Sequence, residues 1–322
     1  MYDAVDYIRD FNPEIIRDLI DGSVEGIPLM LTGEGSSRIF PGKNAVHRQL
    51  AVGNGPLVLT ESSTDLAGKS LNDFIVIGAS NSGKTKELVN LFRELQNSGH
   101  RHLYGLSCNA GSVIEKHTRK TLLLETGKEL AVAATKSVVA QALFYDAILL
   151  DRHKDFDINT EQMSAHFEQA LDTQINRSII NAVCNADIVY FAGYNNGVAE
   201  ELTLKTNEII RKRAAFLPGT YLLHGIEEIV SPNDIIIMVD AYPDEFEKIK
   251  KVYSESIGTT VIVFSEYSTP FDTVRIPAVS VPFHDTYVKL AAGWNLLVEA
   301  GIQLGIDPDK PVRARKIGNE AE

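Results

Sequence analysis

FIVIGASNSGKTKELVNLFRELQNSG, residues 74–99, holds a strand, a turn and a helix in one uninterrupted stretch. Its first seven residues, 74–80, are apolar or small with no polar alternation, as expected of a strand buried on both faces. Further on, Leu88, Leu91, Phe92 and Leu95 recur at helical spacing, and the pattern stops at Gly99. Between strand and helix lies a turn crowded with hydroxyls and an amide. A turn that opens a helix directs unpaired backbone N–H groups and the positive end of the helix dipole into one space, so it is suited to an anion and to phosphate above all.

Working outward, IPLMLTG (27–33), PLVLT (56–60), HLYGLSC (102–108) and KTLLLET (120–126) predict further strands, each apolar enough to be buried on both faces. Helical segments separate them, so the class is α/β, a doubly wound parallel sheet flanked by helices in a flavodoxin-like three-layer sandwich. A long helix is expected from Thr135 to about Leu150, and the polar run DRHKDFDINTEQ (151–162) after it marks a junction. After a second long helix the pattern restarts, with DIVYFAGYNN (187–196) in the place of IPLMLTGEGSS and DIIIMVD (234–240) in the place of FIVIGAS. The chain therefore reads as a degenerate tandem: a first domain over 1–155, a second over 156–305 and a C-terminal tail over 306–322. Where the first copy has its Ser/Thr-rich turn the second has AYPDE, so only the first is equipped to hold an anion.

Composition narrows the function classes. The 322 residues carry a net charge of −12 with no Lys/Arg-rich run, which leaves nucleic acid without an electrostatic footprint. No segment reaches the length of apolar sequence that a membrane span needs, and the first residues, MYDAVDYIRDF, have no apolar leader core; a cytoplasmic protein is expected. The two cysteines, Cys108 and Cys184, form no CxxC, and none of the eight histidines belongs to an HExxH or comparable ligand set, so neither a disulfide framework nor a metal site is expected.

The turn Gly78 to Thr85 also satisfies GxxxxGKT, the nucleotide-binding P-loop pattern, and apolar runs ending in Asp151 and Asp240 could pass for its metal-binding partner. Against that reading, the turn follows the third apparent strand and comes after another Gly/Ser turn, Gly33-Glu34-Gly35-Ser36-Ser37. An unliganded helix cap is the plainer alternative.

Taken together, these motifs resemble the sugar isomerase (SIS) domains, in particular the isomerase half of glutamine:fructose-6-phosphate amidotransferase and related glucosamine-6-phosphate deaminases. LTGEGSS (31–37) is similar to the family's first Gly-Thr-Ser turn and SNSGKT (80–85) to its SQSGET phosphate loop. ELAVAATKS (129–137) resembles EIGVASTKA, ELTLKTNEI (201–209) resembles EGALKLKEI, LLHG (222–225) resembles the loop ending in LKHG, and DKPVRARK (309–316) resembles DQPRNLAK. The motifs come in the family's order, and His224 follows Glu208 by the family's sixteen positions. The resemblance implies tandem SIS domains. It makes Ser80, Asn81, Ser82 and Thr85 the phosphate cradle and Ser36, Ser37 and Val132 sugar contacts. It makes Glu208 the proton-transfer carboxylate, Lys205 a lysine beside it, His224 the ring-opening group and Lys316 a lysine on a tail that folds over the sugar. In the family the histidine comes from the neighbouring subunit, which implies a homodimer with shared sites. Ala134, Ala215 and Tyr221 depart from the family pattern and leave the identity of the sugar open.

The residues suit this chemistry in their own right. Moving a carbonyl between C1 and C2 needs a base that takes a proton from one carbon and returns it to the next, a task for a partly buried carboxylate such as Glu208. Otherwise Glu208 is an exposed helix carboxylate paired with Arg211 or Lys212. Ring opening needs a group titrating near neutrality, which His224 supplies. Lys205, three positions before Glu208, shares its helix face and could hold it ionised, or be only an ion pair. Lys316 otherwise belongs to a solvated end. Proton shuttling needs no cofactor.

The expected activity is that of a phosphosugar isomerase/deaminase converting glucosamine 6-phosphate to fructose 6-phosphate and ammonia. With the first turn beginning by residue 33, no upstream glutaminase region is expected, which favours ammonia release as the direction. The alternatives are an isomerase or deglycase for another 6-phosphosugar, a non-catalytic sugar-phosphate sensor and a P-loop NTPase.

Overall fold

In the computed structural model, residues 1–18, 26–53, 55, 57–127, 129, 131–152, 158–281, 283–313 and 320–321 are described. The chain divides into two compact units, Met1–Glu161 with Arg313–Glu322, and Gln162–Val312. The expected junction at 155/156 lies outside the described residues.

The first unit runs α1 (Tyr2–Asp10), β1 (Leu29–Gly33), α2 (Ile39–Val52), β2 (Val58–Ser62), α3 (Ser63–Leu66), β3 (Ile75–Ser80), α4 (Lys86–Asn97), β4 (Leu103–Ser107), β5 (Lys120–Leu123) and α5 (Lys136–Arg152). Its five strands form one parallel sheet in the order β2-β1-β3-β4-β5. The chain winds outward from β1 to β2, returns to β3 and winds the other way. Right-handed crossovers therefore place α2 and α4 on opposite faces. Indeed α2 packs with α5, and α1 with α5, whereas α4 packs with α3. Beneath α4, Leu88, Leu91, Phe92 and Leu95 bury themselves on Met30, Val76 and Leu103 of the sheet, each worth roughly 1.5–3 kcal/mol of apolar burial. Two strands differ from expectation. Both β2 and β5 leave alternate or terminal residues accessible, because the strand order puts them at the sheet edges, where one flank lacks a covering strand.

Two helices, α6 (Thr160–Leu171) and α7 (Arg177–Asn185), precede the second sheet, where the sequence predicts one; the break falls at Asp172–Asn176, and Asn176 caps α7 by accepting the Ser178 N–H. The second unit continues β6 (Ile188–Gly193), α8 (Val198–Lys205), β7 (Arg213–Pro218), β8 (Ile235–Met238), α9 (Phe246–Ile249), β9 (Thr260–Ser265), β10 (Asp272–Arg275) and α10 (Asp285–Gln303). Its parallel sheet has the order β7-β6-β8-β9-β10, which is the strand order of the first sheet repeated. On one side Tyr190, Ile236, Met238, Val261 and Val263 pack with Phe246, Ile249 and Tyr253. The single Trp294 of α10 is fully buried and meets Phe167 edge to face at 6.1 Å. Among the described residues no helix is long and apolar enough to cross a membrane.

Candidate active site

In open sheets of this winding, ligands sit beyond the C-terminal strand ends where the winding direction changes, between the first and third strands. In the first unit that point lies at the ends of β1 and β3. β1 delivers the short 3₁₀ turn Gly35–Ser37, so Ser36 and Ser37 stand half-buried at its exit. Ser37 Oγ receives a long hydrogen bond of 3.4 Å from Gln141 Nε2 of α5.

β3 delivers the turn of residues 81–85. Ser80 Oγ lies 2.8 Å from Thr85 Oγ1 and accepts the Gly83 N–H at 3.0 Å, while Ser82 Oγ accepts the Lys84 N–H at 3.1 Å. Ser80, Ser82 and Thr85 are thus drawn into one tight turn. Gly83 holds it closed: its φ is +64°, and a Cβ there would come within 2.4 Å of Ser112 Cβ and 2.7 Å of Ser107 Oγ. Only glycine accepts both the left-handed backbone and the contact. Thr85 precedes α4 but makes no side-chain hydrogen bond to its first turn, so the helix start is not closed by its own cap residue.

The same geometry bears on the nucleotide reading. Gly78, Ala79 and Ser80 pair with Gly105, Leu106 and Ser107 in the sheet ladder, so the first three residues of GxxxxGKT are strand and not loop. Asp240, one of its possible metal-binding partners, lies in the second unit and is ion-paired there with Lys289. Lys84 is exposed, with its Nζ 3.9 Å from Glu320 Oε2. The C-terminal segment returns to this loop: Thr85 and Glu320 form an antiparallel bridge, and the Ala321 N–H donates to the Lys84 carbonyl at 2.7 Å. Lys316 lies outside the described residues.

Glu129, the first residue of the ELAVAATKS motif and one to which the sequence reading gave no role, completes this half. Glu129 sits beside the start of α5, where its Oε1 accepts the N–H groups of Thr135 at 2.6 Å and Lys136 at 2.9 Å. Its Oε2 accepts Ser137 Oγ at 2.7 Å and Asn81 Nδ2, from the turn after β3, at 3.2 Å. Val132 and Ala134 lie half-buried on the segment that Glu129 ties down.

In the second unit, α8 ends at Lys205 and the helix widens into a π turn, Thr206–Ile210, which stops at Arg211 in the left-handed conformation with φ 56°. Such widened turns recur at functional positions. The wholly buried Lys205 Nζ lies 2.6 Å from Glu208 Oε2 and 3.1 Å from Glu201 Oε1. Burial works against the ammonium, but the charges and hydrogen bonds of Glu201 and Glu208 outweigh it and hold its pKa above the ordinary lysine range. Glu208 keeps a fifth of its side chain accessible, whereas Glu201 has none. The alternative pairing of Glu208 with Arg211 or Lys212 is not what forms: Arg211 donates to the carbonyls of Asp307 and Lys310, and Lys212 to that of Ala186. His224 stands exposed between two short 3₁₀ turns, with Nε2 3.4 Å from Thr220 Oγ1. Glu201, the first residue of the ELTLKTNEI motif, was given no role by the sequence reading although its four-residue spacing to Lys205 on a helix is legible. Glu129 opens the motif ELAVAATKS, but a carboxylate several residues ahead of a helix is not at an ordinary capping position, so the motif gave it no role.

The switch point of the second sheet is built differently. The last β1–β3 pair is Thr32 with Gly78, and the last β6–β8 pair is Ala192 with Met238, so Asp240 holds the strand position that Ser80 holds in the first sheet. Its buried carboxylate accepts the Tyr194 N–H at 2.8 Å and the Lys289 ammonium at 2.7 Å. Gly193 leaves the room, since a Cβ there would lie 2.9 Å from Asp240 Oδ2. An internal anion thus stands where the first sheet has a hydroxyl.

Comparison with known proteins bears out the resemblance read from the sequence. Residues 50–151 match the SIS domain family. The chain is 23% identical over 307 residues to glutamine–fructose-6-phosphate aminotransferase (isomerizing) of Aeropyrum pernix, covering 88% of this chain and 49% of that protein. It thus spans about half the length of the curated relatives it matches. Among solved structures, the glucosamine-6-phosphate deaminase of Thermotoga maritima superposes with a TM-score of 0.73 at 19% identity, over 98% of this chain and 99% of that one. The tagatose-6-phosphate ketose/aldose isomerase of Escherichia coli gives 0.75 at 15% identity, over 98% and 97%. At these identities the structures attest the fold.

Proposed function

We propose that the chain is a phosphosugar aldose–ketose isomerase of tandem SIS domains, acting as an amino-sugar phosphate deaminase on glucosamine 6-phosphate. The observation that carries this reading is the pairing of a partly accessible Glu208 with a fully buried ammonium, Lys205, at 2.6 Å. The cation favours the ionised carboxylate that a proton-abstracting base requires, and it is placed to stabilise the enediol-type intermediate.

In this reading Ser80, Asn81, Ser82 and Thr85 take the phosphate, with Ser36, Ser37 and Val132 along the sugar. His224 moves a proton between hydroxyl and ring oxygen to open the ring. Glu208 then takes the proton from C2 and returns it to C1, so that the C1 aldehyde becomes a hydroxyl and the C2 amine becomes an imine. Water adds to the imine, ammonia leaves and fructose 6-phosphate remains. Lys316 is assigned to the tail that covers the sugar, and the functional unit is a homodimer in which each site takes His224 from the partner. No cofactor enters the scheme.

Ammonium release from glucosamine 6-phosphate by the purified protein tests it. Release is expected without added metal or glutamine, falling by about 10²–10⁴ in Glu208→Gln, the range for loss of a general acid–base. Release unchanged by Glu208→Gln removes the proton-shuttle assignment. No release by the wild type removes this substrate and directs the assay to other 6-phosphosugars.

A further inference from the structure

In the first unit the starts of α4 and α5 differ in what already meets them. At α4 the cap residue Thr85 shares a hydroxyl–hydroxyl hydrogen bond with Ser80, and its side chain makes none to the helix. At α5 the position is taken. Glu129 holds the backbone N–H groups of Thr135 and Lys136 and the Ser137 hydroxyl, so a full negative charge already meets the positive end of a 17-residue helix. A second anion there would meet like charge at hydrogen-bond range. The other edge of the same carboxylate accepts from Asn81 Nδ2 at 3.2 Å, and the Asn81 carbonyl in turn accepts from Cys108 N at 3.1 Å and Asn109 Nδ2 at 2.7 Å. Asn81 is therefore fixed from both ends.

We infer that Glu129 is a positioning residue for the phosphate loop. It serves as the built-in anion of α5, directs an external phosphate to Asn81–Thr85, and fixes that loop through the Asn81 amide. This rests on the proposed role of the loop in binding phosphate. Glu129 touches no reacting atom in this assignment. Its contribution is to the place and affinity of the phosphate group, so its loss falls on KM more than on kcat.

The test is titration of the full chain with inorganic phosphate, followed by backbone amide NMR shifts, for the wild type and Glu129→Gln. The glutamine keeps an acceptor for the Thr135 and Lys136 N–H groups, so the fold is retained; Glu129→Ala serves as the stronger variant. In the wild type, phosphate is expected to move the amides of residues 81–85 and to leave those of 135–137 in place. In Glu129→Gln the affinity at 81–85 falls by about tenfold, as for a lost charge-assisted hydrogen bond, and the 135–137 amides now respond to phosphate. With glucosamine 6-phosphate as substrate, KM rises by a similar factor while kcat stays within a few-fold. Wild-type shifts at 135–137, no wild-type shifts at either place, or a variant that binds phosphate with unaltered affinity and pattern overturns the inference. Normal phosphate shifts without turnover of glucosamine 6-phosphate overturn the proposed substrate and leave Glu129's role standing.

Discussion

Lys205 and Glu208 form an ion pair of 2.6 Å in which the cation is completely buried and the carboxylate is not. Glu201, buried on the other side of the same ammonium at 3.1 Å, makes the arrangement a triad with two negative groups and one positive. Only Glu208 faces outward, so the triad holds one carboxylate in place and presents another.

Removing the cation leaves Glu201 charged and enclosed. Lys205→Met is expected to cost about 3–5 kcal/mol, the range for breaking one partner of a buried pair, measured by urea unfolding at neutral pH. Since the folded pKa of Lys205 lies above its ordinary 10.5, its stabilising contribution is present in full below that value and declines as pH rises through the folded pKa. The gap between wild type and Lys205→Met should therefore be constant near neutrality and shrink in strong alkali. A gap that widens there contradicts the assignment.

Gly83→Ala tests the closed turn. The left-handed backbone and the 2.4 Å approach to Ser112 leave no room for a methyl group, so a loss of about 1–3 kcal/mol is expected in thermal unfolding. Phosphate affinity should fall with it, because Ser80 and Thr85 depend on the same turn.

Asp240→Asn in the second unit removes the partner of Lys289. The lysine's pKa is held above the ordinary range, burial opposing it and the charges of Asp240 and Asp285 prevailing. Asp285 remains at 2.7 Å, so the expected cost is about 2–4 kcal/mol, somewhat below that of leaving a buried ion wholly unpaired. Equilibrium unfolding of the variant measures it. An unchanged midpoint would show that the internal anion is dispensable.

His224 is exposed, so His224→Ala should change stability by no more than about 0.5 kcal/mol while abolishing most turnover. Mixing inactive His224→Ala and Glu208→Gln subunits provides the matching test of a shared site. Random reassociation of a two-fold dimer gives about a quarter of wild-type activity if histidine and glutamate come from different subunits, and none if they come from one.

Mg-ATP should leave the melting temperature unchanged, in the wild type and in Lys84→Ala alike. The strand pairing of Gly78 to Ser80 takes the first three residues of the nucleotide pattern into the sheet. A nucleotide-dependent rise that vanishes in Lys84→Ala would restore the nucleotide reading.

How much of this was legible beforehand follows from the range of each interaction. Strand β3, the loop after it and α4 were readable from residues 74–99 because apolar period, hydroxyl-rich turn and glycine stop are local properties of the chain. The Lys205–Glu208 pair was readable for the same reason, three residues apart on one helix. The exposure of β2 and β5 was not, since edge and centre are decided by strand order and not by composition. Nor was Glu129, which meets Asn81 across 48 positions, or the ion pair of Asp240 with Lys289 across 49. Sequence by itself determined the alternating elements, the hydroxyl-rich turn and the spacing that pairs Lys205 with Glu208, because those rest on neighbours along the chain. Tertiary structure alone decided that the start of α5 is filled by the Glu129 carboxylate, because a charge acts on whatever folding brings within a few ångströms of it.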